Sequence, residues 1–246
     1  MTPARIRGLT SGAPPDAGPA RTGGGDGQGA IEEFPVQHIA MVGNAPIEDD
    51  IADAVDGADH VVRFNRTRGF GGATGTRVDD LFLINCGGQM HEWLCDAGFW
   101  RSAAVRAARR VSLPVAAGHP GSGLAVWAAS APADRHGVNF EHDVRARLGV
   151  RVRTMPDALR RAAIADLQAL GTVPRRPVWP STGFLAVYWY DRTAAPGARI
   201  ALHGFGLTGW DGHDWARERA WLRQRMRDGR VVPGCARTEA AMEAAR

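Results

Sequence analysis

Two asparagines stand where strand-like runs end. Asn44 closes Ile39-Ala-Met-Val-Gly-Asn directly after Gly43, and Asn65 closes Asp59-His-Val-Val-Arg-Phe-Asn. A carboxamide offers hydrogen-bond donors without charge, which suits phosphate or nucleotide oxygens. Asparagine also tolerates the left-handed backbone of a turn, and each position taken alone reads more often that way. Gly75-Thr76-Arg77 follows the second asparagine. Much further along, Pro180-Ser-Thr-Gly183 opens an apolar run. The unbonded amides of a helix start, with the hydroxyls of Ser181 and Thr182, make an anion cradle. The plainer reading is that one hydroxyl caps the helix. Gly183 in a first turn costs about 1 kcal/mol relative to alanine, which points to close approach of a ligand or of another backbone.

His213 follows a loop carrying Gly206, Gly209 and Gly212 and stands at the start of a helical run. A helix start disfavours the imidazolium form, so the ring stays neutral and able to accept a proton near neutrality. Glu218 lies five positions on, roughly 140° around a helix. It therefore cannot simply bond His213 from the same face, and a tertiary partner is expected. Trp210, in the glycine-flanked loop before His213, is open to stacking on a sugar ring, whereas the other tryptophans read as core or interface. There is no Asp-x-Asp, the pattern with which many nucleotide-sugar transferases hold a divalent metal. Cys86 and Cys95, with His91 between them, lack zinc spacing. The expectation is no metal and no cofactor. No Gly-x-Gly-x-x-Gly follows a strand and opens a helix, which disfavours a dinucleotide site.

These residues need a scaffold, and the chain alternates strand-like and helix-like segments. Strands are predicted over residues 36–42, 60–64, 81–84, 111–115, 150–154 and 200–202. Helices are predicted around Ile47, Ile51 and Val55, then over 99–110, 134–148, 157–170, 181–190 and 214–227. This rhythm implies a mostly parallel, doubly wound α/β sheet with helices on both faces.

The chain has 246 residues, 44% hydrophobic and 23% charged, as in an ordinary globular domain. All its basic side chains are arginine, and the net charge is only +4. That slight excess favours an anionic nucleotide or glycan, while no nucleic-acid motif accompanies it. Three cysteines form no paired framework. Residues 1–32, rich in Gly and Pro, read as a disordered tail, 33–232 as one domain and 233–246 as a C-terminal tail with a loosely held helical turn or two. With no membrane-spanning run and no secretory leader recognised, a cytoplasmic protein is expected.

In order and spacing, the chemistry-bearing segments resemble the sialylmotifs of the animal-type sialyltransferase family, in a compact bacterial form. Residues 39–85 resemble its large motif and 179–205 its small motif. His213 and Glu218 resemble its very small motif. The resemblance implies a single-domain variant GT-A, Rossmann-like fold. It also implies a metal-independent, inverting transferase that moves sialic acid from CMP-sialic acid to a glycan hydroxyl. By matching position, Asn44 and Asn65 would hold the nucleotide and its phosphate. Ser181, Thr182 and Gly183 would line the donor pocket, and His213 would be the general base. Gly43, Gly75, Thr76, Glu218 and Trp210 would play supporting parts. CMP-Kdo is a rival donor, and a non-catalytic nucleotide- or glycan-binding domain of the same fold is the alternative of another class. The animal enzymes join the large and small motifs by a disulfide; the matching segments here contain no suitable cysteine pair.

Overall fold

Alternation within short apolar runs sorts successive side chains onto opposite faces of one sheet. The computed structural model describes residues 37–117, 123–171 and 178–244. The tail expected over residues 1–32 lies outside the described residues. Among the described residues, seven strands are β1 (His38–Val42), β2 (His60–Phe64), β3 (Asp80–Phe82), β4 (Arg110–Leu113), β5 (Arg151–Thr154), β6 (Arg199–His203) and β7 (Val231–Pro233). They form a sheet in the order β5-β4-β3-β2-β1-β6-β7 with every neighbouring pair parallel. The chain winds outward from β1 to β5, then returns to lay β6 on the free side of β1. In register, Val42 of β1 stands opposite Arg63 of β2 and His203 of β6. The reversal of winding between β1 and β6 is a topological switch point, where parallel sheets open a crevice beyond the carboxyl ends of the strands.

Ten helices cover the sheet: α1 (Ala52–Asp56), α2 (Gly87–Cys95), α3 (Ala97–Trp100), α4 (Ala103–Ala107), α5 (Leu124–Ala129), α6 (Glu141–Arg147), α7 (Asp157–Gln168), α8 (Thr182–Thr193), α9 (Trp215–Arg227) and α10 (Ala236–Glu243), counted among the described residues. Ile39, Met41, Val62, Phe64 and Phe82 pack with α7, α8 and α9 on one face. On the other, Leu81, Leu83 and Val111 pack with α2, α3, α4 and α6, while Ala40, Val42 and Val61 pack with Val55 of α1. From Phe184 to Tyr190 every residue of α8 is buried. A helix apolar on all sides belongs inside, and α8 runs between the sheet and the outer helices. No helix among the described residues is long and apolar enough to cross a membrane.

The sheet matches the expected α/β class, but several boundaries differ. The helix expected over 99–110 is interrupted. Ser102 starts a separate α4 by accepting from the Val105 amide, and β4 already begins at Arg110. The expected 134–148 helix divides into a 3-10 turn at 135–137 and α6. The stretch after Val232, expected to hold a helical turn or two, completes β7 and forms α10. Thr238 is fully buried there and accepts from the Phe205 amide at 3.2 Å. Arg219 and Arg223 of α9 donate through Nε to the carbonyls of Ala241 and Met242 at 3.0 and 2.7 Å, which ties down the far end.

Candidate functional site

At the switch point the ends of β1 and β6 meet almost backbone to backbone. The Gly43 amide donates to His203 O at 2.7 Å, and the Ala45 amide to Gly204 O at 3.0 Å. A Cβ on Gly43 would lie 2.4 Å from Gly204 O, so no larger residue fits. Over this seam opens a cavity of about 970 Å³. It is lined by Gly43, Asn44, Asn65, Ser181, Thr182, Gly183, Trp210 and His213, which thus come together from four separate stretches of chain.

The two asparagines are used differently. Asn44 laces the ends of β1 and β2: Nδ2 donates to Phe64 O at 3.0 Å, and Oδ1 accepts from the Arg68 amide at 2.9 Å. Asn65 has φ 51° and so occupies the left-handed region, and its Oδ1 accepts from the Ile84 amide at 3.0 Å. Its Nδ2 makes no bond among the described residues. Turn residue and cavity donor are therefore compatible roles at this position.

Ser181 caps α8. Its Oγ accepts from the Phe184 amide at 3.0 Å and donates to Glu218 Oε2 at 2.7 Å, while its amide donates to Glu218 Oε1 at 2.6 Å. Glu218 thus has its tertiary partner, and it is fully buried. Burial pushes its carboxyl up to about 7, against the two bonds from Ser181. The Thr182 and Gly183 amides lack intrahelical acceptors, as all first-turn amides do. A Cβ on Gly183 would lie 3.2 Å from a ring carbon of Phe205. The close neighbour is an aromatic side chain rather than another backbone.

His213 is fixed by the segment that leads into α8. Its Nδ1 lies 2.8 Å from Trp179 O, and the Trp179 amide donates to Gly212 O at 2.8 Å. A carbonyl only accepts, so Nδ1 carries the proton and Nε2 keeps its lone pair. Burial lowers the imidazole pKa, with the Trp179 bond opposing. The ring precedes Asp214, the cap of α9, and burial is the largest cause of its shift. Trp210 and Trp215 pack edge-on against it, each with centroids 4.9 Å away. Trp210 and Trp179, 57% and 47% exposed, leave open aromatic surface at the cavity. A Cβ on Gly212 would come within 2.3 Å of the Trp210 ring, so glycine there permits that ring position.

Gly75 and Thr76 are not brought to the cavity. The Asp56 carboxylate accepts from the amides of Thr76 and Arg77, each at 2.9 Å. Gly75, at φ 77°, is crowded against that same carboxylate. The buried Arg63 guanidinium ties the loop from inside, donating to Thr74 Oγ1 at 2.9 Å and Arg77 O at 2.8 Å. Their part is to shape the loop after β2. Sequence reasoning missed five other polar lining residues: Gln89, His136, Arg160, Thr208 and Arg237. His136, Arg160 and Arg237 arrive on elements outside the motifs, while Gln89 and Thr208 lie just beyond motif ends. Among the described residues, no aspartate or glutamate lines the cavity. Cys86 lines it too, but burial pushes its thiol up to about 12, which leaves it a poor nucleophile near neutrality.

Two crystal structures of a mammalian sialyltransferase, one of them in complex with Gal-beta-1-3GalNAc-ortho-nitrophenol, are similar to the chain at 18% identity and a TM-score of 0.49. The similarity covers 80% of this chain and 69% and 68% of theirs. No family model matches the sequence. The urease operon 23 kDa accessory protein of Rhizobium meliloti (strain 1021) is 31% identical over 203 residues, covering 78% of this chain and 90% of that protein. At that identity and coverage, the chain belongs to the family of the urease operon 23 kDa accessory protein.

Proposed function

We propose that this chain is a CMP-sugar-dependent glycosyltransferase that moves a 2-keto sugar acid, sialic acid first among them, to a glycan hydroxyl. The observation that carries the reading is convergence. Asn65, the start of α8 and His213 line one cavity at the switch point, and His213 there presents an unprotonated Nε2. Its lining includes two guanidiniums and no carboxylate among the described residues, a setting for an anionic ligand.

In this reading His213 Nε2 takes the proton of an acceptor hydroxyl, and that oxygen attacks the anomeric carbon of the donor. The bond from the anomeric carbon to the phosphate oxygen breaks on the opposite face, and the electron pair leaves with CMP. Amides of Thr182 and Gly183 and the carboxamide of Asn65 meet the charge that develops on the leaving phosphate. A monophosphate ester leaves with less charge than a diphosphate, and the mechanism is proposed to run without a metal. CMP-Kdo shares both the nucleotide and the carboxylate; measuring which CMP-sugar is consumed separates the two donors.

The test is a thermal-shift comparison of CMP, CDP, UDP and NAD, each with EDTA. A ligand that binds only the folded chain raises its melting temperature. Stabilisation by CMP above the others is the expected result. Stabilisation by NAD or UDP in preference to CMP overturns the reading. A binding domain without turnover would show the CMP shift but release no CMP from any CMP-sugar.

A further inference from the structure

The last helix brings an unused positive charge to the cavity. Arg237, in the first turn of α10, lines it, and its guanidinium makes no hydrogen bond or ion pair among the described residues. The other lining guanidinium, Arg160, is engaged by Asp157 at 2.8 Å. Arg237 also stands on firm ground. Its neighbour Thr238 accepts from the Phe205 amide, and Cys235 Sγ accepts from the Gly204 amide at 3.4 Å. Gly204 is the residue whose carbonyl receives the Ala45 amide beside Asn44, and Phe205 is the ring against Gly183. The start of α10, the loop after β1 and the start of α8 therefore share one junction. Phosphate groups bind at this crevice in parallel sheets, where helix-start amides face it.

We propose that Arg237 binds the phosphate of the CMP moiety and so sets the preference of the cavity for a nucleotide over its nucleoside. This rests on the functional reading above. A guanidinium offers the planar fork that matches phosphate oxygens, and it remains charged at every working pH. The donor sugar acid carries a second anion, its carboxylate. Free CMP has the phosphate alone, so comparing CMP with cytidine isolates the group assigned to Arg237.

The experiment is calorimetric titration of the full chain with CMP and with cytidine, for the wild type, Arg237→Ala and Arg237→Lys. Hydrogen bonds to a charged group predict a loss of about 10- to 100-fold in CMP affinity for Arg237→Ala. Cytidine affinity should not change, and Arg237→Lys should fall between the two. Arg237 is exposed, so equal melting temperatures without ligand show that the variants are folded. Unchanged CMP affinity in Arg237→Ala overturns the assignment, including the case where only the KM for an intact CMP-sugar rises and the carboxylate is the true partner. Parallel loss of CMP and cytidine overturns it as well, since the effect would then be on the cavity's shape. A wild type that binds neither compound defeats the functional reading itself, a result distinct from either of those.

Discussion

The two ends of the same sheet use similar polar residues to opposite effect. Toward the amino ends of the strands, Asp80 is fully buried and saturated. It accepts from Tyr190 OH at 2.6 Å, Ser112 Oγ at 2.8 Å, Arg153 at 2.8 Å and Arg110 at 3.3 Å. His60 Nε2 lies 2.9 Å from the same Tyr190 hydroxyl, and burial drives its pKa down to about 4. At the carboxyl ends, Asn65 Nδ2, His213 Nε2 and the Arg237 guanidinium line a cavity without partners among the described residues. A buried polar group is stable only when its bonds are made. A closed network is therefore read as architecture, and open valences around a cavity are read as places for a ligand. Residue type does not separate the two ends; completeness of bonding does.

The largest effect is expected at the open end. His213→Ala should lower transfer by about 100- to 10,000-fold, the range for loss of a general base, while calorimetry finds CMP affinity unchanged. Transfer at the wild-type rate would remove His213 from the mechanism. At the closed end, Asp80→Asn leaves the charges of Arg153 and Arg110 without their carboxylate. Stability in urea should fall by about 3–5 kcal/mol, with CMP affinity of the folded fraction intact. If the variant unfolds like the wild type, the contrast between the two ends does not hold.

Glu218 lies between these extremes, buried and bonded yet short of a positive partner. Its folded pKa of about 7 stands above the ordinary 4.5. A raised value means that its contribution is fully favourable below about pH 4.5 and is lost as pH rises through 7. Above that range the buried carboxylate costs on the order of 3 kcal/mol. Glu218→Gln should therefore be more stable than the wild type at pH 8 and no more stable at pH 4, as read from denaturant melts at both values. A constant difference across pH would contradict the assignment. The smallest effect is expected for Gly183→Ala. The gain in helix propensity of about 1 kcal/mol opposes the 3.2 Å approach to Phe205, so unfolding free energy should move by less than that gain. A larger loss would mean that the Phe205 ring cannot shift.

The strands that position the site were legible because buried parallel strands are short apolar runs. β1, β2 and β6 sit within a residue or two of where such runs fall. The helix α2 was not legible, since Gly87-Gly88 opens it without a capping side chain. Its buried Met90, Trp93 and Leu94, at helical spacing, were the available signal. Local pattern could place Asn65, Ser181 and His213 near strand ends and helix starts. It could not show that Asp56 takes up the Thr76 amide, that Glu218 bonds Ser181, or that Arg160 and Arg237 reach the same cavity. Those are contacts between elements far apart in sequence, set by packing rather than by neighbours along the chain. Arg219 and Arg223 hold α10 through carbonyl bonds that no periodicity announces.

The pairing of β1 with β6 has a kinetic corollary. The first of the described strands lies inside the sheet, and one of its two neighbours, β6, comes from residues far along the chain. Contacts at such separation are slow to form, and the Gly43–Gly204 seam cannot exist before they do. A partly assembled chain would have the asparagines and the helix starts but no place where they meet. Nucleotide capture should thus report on completion of the whole sheet, and its onset during refolding should coincide with the final phase.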